Sequence, residues 1–302
     1  MFVALKSLDN SKNVTLEFMN EIASHNKGKI NNTFIIGFYG MTQDPETKNY
    51  MMVLDYAEDG SLRNYLDREY SKLNWDEKIE YMFDIITGLY RIHNKELIHR
   101  DLHIGNILKL KYRIAITDMG LSPEILRGQN TYSKAADIYS FGIIMYEIIS
   151  GLPPYHDISH DENLAINICR GLRPRFNAKV PQLIVHLIKR CLDANPLNRP
   201  MAGEIKDTLR KWQYIPAELK AQIEEADEFN SDNLPIDSVT LTNLGLSYEI
   251  HSEAIYTSRL LDFNDLPEPK NSDDYYKQND NIISKKFSES LQIDISQLNT
   301  SQ

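Results

Sequence analysis

The sequence predicts an α+β fold in two unequal lobes, a small and mostly antiparallel sheet followed by a mainly helical lobe. Three observations carry this expectation. Short or alternating apolar runs bounded by turn residues dominate up to residue 57. Apolar stripes of helical period dominate from Trp75 to Trp212. Beyond about residue 214 both patterns give way to Asn, Asp, Ser and Glu.

The elements follow in order. FVALKSL alternates as a strand does, and VTLEFMNEIASH reads as a helix with Leu16, Met19, Ile22 and Ala23 on one face. FIIGFYGM and NYMMVLDYA are two further strands joined by the turn-rich TQDPETK. Asn74 is positioned to cap a helix whose stripe is Ile79, Met82, Phe83, Ile86, Leu89 and Tyr90. Gly88 in that stripe costs about 1 kcal/mol of helix propensity relative to Ala, which close approach of another helix would offset. A loop and two short strands occupy IHRDLHIGNILKLKYRIAITDMG. KAADIYSFGIIMYEIIS is apolar nearly all round, as expected of a helix at the centre of a lobe. Further helices fit LAINICR, PQLIVHLIKRCLD and AGEIKDTLRKW, and PAELKAQIEEADEF allows one more. The expected organisation is a folded unit over 1–212, divided at residue 57, and an acidic, largely disordered tail over 213–302.

Charge supports that division. From Ala217 onward 17 acids face 6 bases, a net of −11, whereas residues 1–216 carry a net of +1. The acidity therefore belongs to the tail, and no basic stripe points to nucleic acid. Cys169 and Cys191 are too few for a disulfide framework and lack metal-ligand spacing, so reduced core thiols in a cytoplasmic protein are expected. The N-terminus lacks the pattern of a signal peptide, and FGIIMYEII, with Glu147 inside it, is too short to span a bilayer.

The chemistry concentrates in IHRDLHIGNIL. Asp101 is followed at five residues by Asn106, and twelve residues later by Asp118. On a loop and a strand end such groups can converge on a metal–phosphate site, with hard oxygens from Asn106 and Asp118 for Mg²⁺ and Asp101 receiving a hydroxyl proton. Taken alone, the pair reads equally as a polar turn in which Asp101 caps and Asn106 satisfies backbone groups.

HRDLHIGN, together with VALK, Glu21, VLDYAEDGSL, TDMG, SPE, DIYSFG and PLNRP in that order, resembles the eukaryotic protein kinases over about residues 2–212. The texture is closest to their tyrosine-kinase-like group. The resemblance implies a bilobal protein-kinase-like fold with a truncated N-terminal β lobe. It implies that Lys6 contacts ATP phosphates and pairs with Glu21, and that Asp101 orients and deprotonates the acceptor hydroxyl. Asn106 and Asp118 would hold Mg²⁺. Leu54 would be the gatekeeper, Asp55, Tyr56 and Ala57 the adenine-binding hinge, and Leu108 a further nucleotide contact. Asp137 would brace the catalytic loop, and Arg199 would pair with Glu124.

The family pattern is broken at four places. The chain begins at the lysine strand, and G-x-G-x-x-G occurs nowhere in it. Only Leu121 separates Gly120 from Ser122, and the four steps from Gly120 to Glu124 span at most ~14 Å, too short for an activation loop. Met119 replaces a phenylalanine, a mild change. His103 and Gly105 stand where lysine or arginine would indicate the acceptor residue. Two clean excisions beside an intact catalytic set point to a shortened kinase sequence, because decay would erode Lys6, Asp101 or Asp118. The expected function is a cytoplasmic protein kinase that uses ATP and Mg²⁺ on Ser/Thr of a protein substrate, with tyrosine as the other acceptor. The competing expectation is a pseudokinase scaffold.

Overall fold

A computed structural model of the chain describes residues 2–8, 11, 34–118, 133–233, 250–254, 256 and 266–272. The helix expected over residues 14–25, with Glu21, lies outside them, as does the junction from Met119 to Glu124.

Strands β1 (Val3–Ser7), β2 (Phe38–Gln43) and β3 (Tyr50–Asp55) form an antiparallel sheet in the order β1-β3-β2. The central strand is the most apolar, and its alternation turns Met52 and Leu54 into the buried face. Asp44 closes the β2–β3 turn by accepting from the Glu46 N–H (2.9 Å) and the Thr47 hydroxyl (2.9 Å).

One strand starts later than its sequence predicts. β2 begins at Phe38, and the apolar residues before it pair with the other lobe instead. The Ile116 N–H donates to the Phe34 carbonyl (3.0 Å), and the Ile36 N–H donates to that of Ile116 (2.9 Å). Period-2 apolarity cannot show which edge a strand joins, so FIIGFYGM reads as one element although two partners share it.

The second lobe opens with α1 (Leu62–Glu69) and α2 (Trp75–His93). Asn74 and Glu77 form a complete capping box at the start of α2, as the sequence predicts for Asn74. The hairpin β4 (Ile107–Leu110) and β5 (Arg113–Ile116) packs against α2. Gly88 is explained by this packing, not by a neighbouring helix. A Cβ there would lie 2.7 Å from the Phe34 carbonyl oxygen and 3.0 Å from Ile116 Cδ1.

Helix α3 (Lys134–Ser150) runs through the centre of the lobe. Phe141, Ile144, Met145 and Ile148 are fully buried, and Gly142 admits Cys191 and Leu192 so closely that a Cβ would meet them at 2.9 and 2.8 Å. Around it stand α4 (Glu162–Cys169), α5 (Gln182–Cys191) and α6 (Ala202–Trp212). Cys191 is buried and Cys169 half-buried.

Ordered packing continues past residue 212. Helix α7 (Ala217–Asn233) buries Leu219, Ile223 and Ala226 against the lobe. Its polar residues reach across as well. Gln222 accepts from the Leu183 N–H (3.0 Å), Asn230 exchanges two hydrogen bonds with the Lys179 backbone, and Asp227 accepts from Trp75 Nε1 (3.1 Å). This helix is the further one that PAELKAQIEEADEF allows, and its acidic composition is compatible with packing because only every third or fourth residue needs to be apolar. No described helix is long and apolar enough to cross a membrane.

Two carboxylates inside the lobe titrate abnormally. Burial pushes Glu147 up to about 7 against the opposing pull of Arg63, whose Nη1 lies 3.2 Å away. Burial also raises Asp84 to about 6 although it accepts from the Ile114 N–H. Both folded values exceed the unfolded ones, so the native state binds more protons between them and stability falls as pH rises towards 7. Urea midpoints are expected to decline from pH 5.5 to 8, and Glu147→Gln to flatten that slope. Gly88→Ala is expected to destabilise by about 1–3 kcal/mol. Overpacking against a backbone carbonyl outweighs the ~1 kcal/mol gained in helix propensity, and the shift in urea midpoint measures the balance.

Candidate active site

The candidate site lies where the two lobes meet, and its geometry begins with a buried acid. Asp137 sits in the first turn of α3 and is 2% exposed. Its carboxylate accepts from the backbone N–H of His99 (2.8 Å) and of Arg100 (3.0 Å), and from His93 Nε2 (2.8 Å). One side chain thus ties the end of α2, the start of α3 and the loop His99–Asn106 together.

His99 is wholly buried. Its Nε2–H donates to the Thr117 carbonyl (2.9 Å), and its Nδ1 accepts from the Asp101 N–H (3.4 Å). Burial holds this imidazole below its usual pKa, which keeps it in the neutral tautomer these two bonds need. The loop and the end of β5 are therefore clamped to each other. The Thr117 N–H adds a second tie by donating to the Asn106 carbonyl (2.9 Å).

Backbone strain gathers here. Arg100 (φ 73°) and Asp118 (φ 57°) both adopt left-handed conformations that non-glycine residues avoid. The Asp137 carboxylate helps hold the first through its bond to the Arg100 N–H.

The predicted residues are placed as follows. Asp101 is partly exposed. Asn106, which is buried, donates from Nδ2 to the Asp101 carbonyl (2.9 Å) and to Asp101 Oδ2 (3.1 Å). Asp118 follows β5, and the Lys6 ammonium forms an ion pair with its carboxylate. Glu21, the partner the sequence suggests for Lys6, lies outside the described residues.

Leu54 is buried in β3, opposite Ala4 of β1. The Asp55 carboxylate accepts from the Gly37 N–H (2.9 Å), the Tyr39 hydroxyl and Arg113 Nη2 (3.3 Å). Tyr56 is exposed, and Ala57 accepts from the Gly60 N–H at 3.2 Å. Leu108 forms a β-bridge with Ser61, which places β4 beside the chain that leads from β3 into α1. The Arg199 guanidinium donates to the carbonyls of Asp193 (2.8 Å) and Ala135 (2.9 Å), and Glu124 is not among the described residues.

The sequence reading missed His93, Arg113 and the imidazole role of His103. His103 Nδ1 accepts from the Gly105 N–H (3.1 Å), and a Cβ on Gly105 would meet that ring at 2.8 Å. The H-x-G spacing is the signal that would have found this turn, whereas His93 and Arg113 carry no local signature.

Among the described residues no three His, Cys, Asp or Glu cluster as a metal cage. The donor set still fits a hard divalent cation. With Nδ2 committed to Asp101, the amide oxygen of Asn106 is the atom left for a ligand, and Asp118 adds a carboxylate.

A family model described as protein tyrosine and serine/threonine kinase matches the chain in two overlapping stretches, residues 1–132 and 121–209. A probable serine/threonine-protein kinase of Dictyostelium discoideum is 29% identical over 213 residues, 63% of this chain and 13% of that protein. A probable tyrosine-protein kinase of the same organism is 26% identical over 239 residues, 62% of this chain and 68% of that protein. A serine/threonine/tyrosine-protein kinase of Arabidopsis thaliana is 26% identical over 261 residues, 79% of this chain and 63% of that protein. The chain thus spans only part of the length of each of these relatives. With two-thirds of its residues matched by that family model, and with two lobes of the expected kind, the chain belongs to the protein tyrosine and serine/threonine kinase family.

Proposed function

We propose that the chain is a protein kinase that transfers the γ-phosphate of ATP to serine or threonine hydroxyls of a protein, with tyrosine as the second acceptor class. The observation that carries this reading is the Asp101–Asn106 contact held beside the Asp118–Lys6 pair. Asp101 is the more exposed of the two carboxylates, and Asp118 is engaged by Lys6, so an incoming hydroxyl can reach Asp101 and pass it a proton. Asn106 holds Asp101 in one rotamer through its amide N–H, at a net cost to break of about 1–2 kcal/mol. Asn106 and Asp118 are the residues that would hold Mg²⁺, which when bound neutralises phosphate charge. Lys6 is assigned to the phosphates, and it must leave Asp118 for them as nucleotide enters. Leu54, Asp55, Tyr56, Ala57 and Leu108 are assigned to the adenine side, and Glu21 to Lys6. The relatives' names divide among serine/threonine, tyrosine and both, which fits leaving the acceptor class open on the tyrosine side.

The Gly120–Glu124 connector favours a second reading, a pseudokinase scaffold, because four residue steps leave little chain for a peptide platform. Mg·ATP and a Ser/Thr/Tyr peptide library decide between the two. Phosphate transfer by the 302-residue chain, reduced by about 10²–10⁴-fold in Asp101→Asn with the Mg·ATP thermal shift retained, is the expected result. Asp118→Asn and Lys6→Met are expected to lose the thermal shift as well. A stable chain that shows neither shift nor transfer selects the scaffold. Asp137→Asn turns an amide N–H₂ towards backbone donors and is expected to cost about 1–3 kcal/mol. It should also speed amide exchange at His99 and Arg100.

A further inference from the structure

The C-terminal segment returns to the lobe at two places, and both lie at the ends of α4. Residues 250–254 and Tyr256 dock on the loop that precedes this helix. The His251 N–H donates to the His156 carbonyl (2.8 Å), the His160 N–H to that of Glu253 (3.2 Å), and the Tyr256 hydroxyl to that of Pro154 (3.0 Å). The rings of His160 and Tyr256 meet edge-on at 4.8 Å. Residues 266–272 dock beyond the other end of α4. The Lys270 N–H donates to the Cys169 carbonyl (2.8 Å), and Asn271 Oδ1 accepts from the Ala194 N–H (2.9 Å). Gly171 (φ 109°) forms part of that seat, because a Cβ there would lie 2.7 Å from the Ser272 nitrogen.

Helix α4 needs these ties. It has eight residues and buries only Leu164, too little apolar surface to fix it firmly. The tail therefore acts as a clasp over α4. Most of its bonds are backbone or ring contacts that respond weakly to charge. The exception is Ser159, whose hydroxyl donates to Glu253 Oε2 (2.8 Å). Ser159 is half-buried, on an irregular loop two residues before the α4 cap Asp161.

We propose that Ser159 is a phosphorylation-sensitive catch, and that a phosphoryl group on its Oγ opens the clasp. The donor would be Mg·ATP in the site of a protein kinase. The Ser159 Oγ bonds to the γ-phosphorus, the bond from that phosphorus to the β–γ bridging oxygen breaks, ADP leaves, and the hydroxyl proton passes to a kinase base. The product has lost the donor hydrogen and gains about −1.5 to −2 charges directly against the Glu253 carboxylate. An attraction becomes a repulsion without any change in the backbone contacts. Asp161 and Glu162, the next acids along the chain, leave Ser159 followed by acidic positions.

The test compares hydrogen–deuterium exchange of the full chain in four forms: unmodified, Ser159→Ala, phosphoserine installed at 159, and phosphoserine at 159 combined with Glu253→Lys. Phosphoserine is expected to raise exchange about tenfold over residues 250–256 and at the start of α4, while Ser159→Ala raises it far less. The combination with Glu253→Lys is expected to restore protection, since the phosphate then faces a cation. Unchanged exchange in the phosphoserine form overturns the proposal, and so does equal loosening by Ser159→Ala. A phosphoserine effect that survives Glu253→Lys overturns it too. Exchange at α2 reports global stability in every form, so a chain that simply unfolds is recognised. The readout needs no catalytic activity.

Discussion

Asp137 is buried at the start of α3, and its carboxylate accepts from two consecutive backbone amides and one imidazole. A buried carboxylate without partners is costly, so those three donors and the acid fix one another. Because α3 is itself packed on every side, the acid cannot drift, and the His99–Asn106 loop inherits that rigidity. The left-handed Arg100 persists only under such a constraint. The loop is held in place because a core helix reaches out to it.

The sheet side of the site is held differently. Lys6 and Asp118 come from opposite lobes, both side chains are partly exposed, and their ion pair closes the gap with no deeply buried atom involved. Such a contact contributes little to stability and is screened by salt, so a stronger anion readily displaces it. The site thus combines a fixed side built on buried hydrogen bonds with a yielding one built on a partly exposed charge pair.

Much of this was legible in the sequence, for identifiable reasons. Asn74 announced its capping box, and α3 announced its central position through apolarity on every face. Asp101, Asn106 and Asp118 stood out through spacing; the first two meet on one loop and the third follows β5. What escaped depends on three-dimensional neighbours. The residues from Phe34 to Ile36 look like the start of β2, yet they pair with β5, because alternation says nothing about which edge a strand meets. Gly88 signalled a close approach, but a carbonyl oxygen arrives there rather than a helix. His93 reaches Asp137 across 44 residues with no local motif to mark it.

Asp55 closes β3 where the chain crosses from one lobe to the other. Its carboxylate is shared by the Gly37 amide and the Tyr39 hydroxyl from the sheet side and by Arg113 from the helical lobe. A rotation of the sheet that pivots at Asp55 strains all three contacts, and the bond to Arg113 most, because that residue belongs to β5. Hydrogen bonds from the Ile116 and Ile36 amides stitch the same two bodies together nearby. The lobes are therefore joined along a seam, not by a single thread.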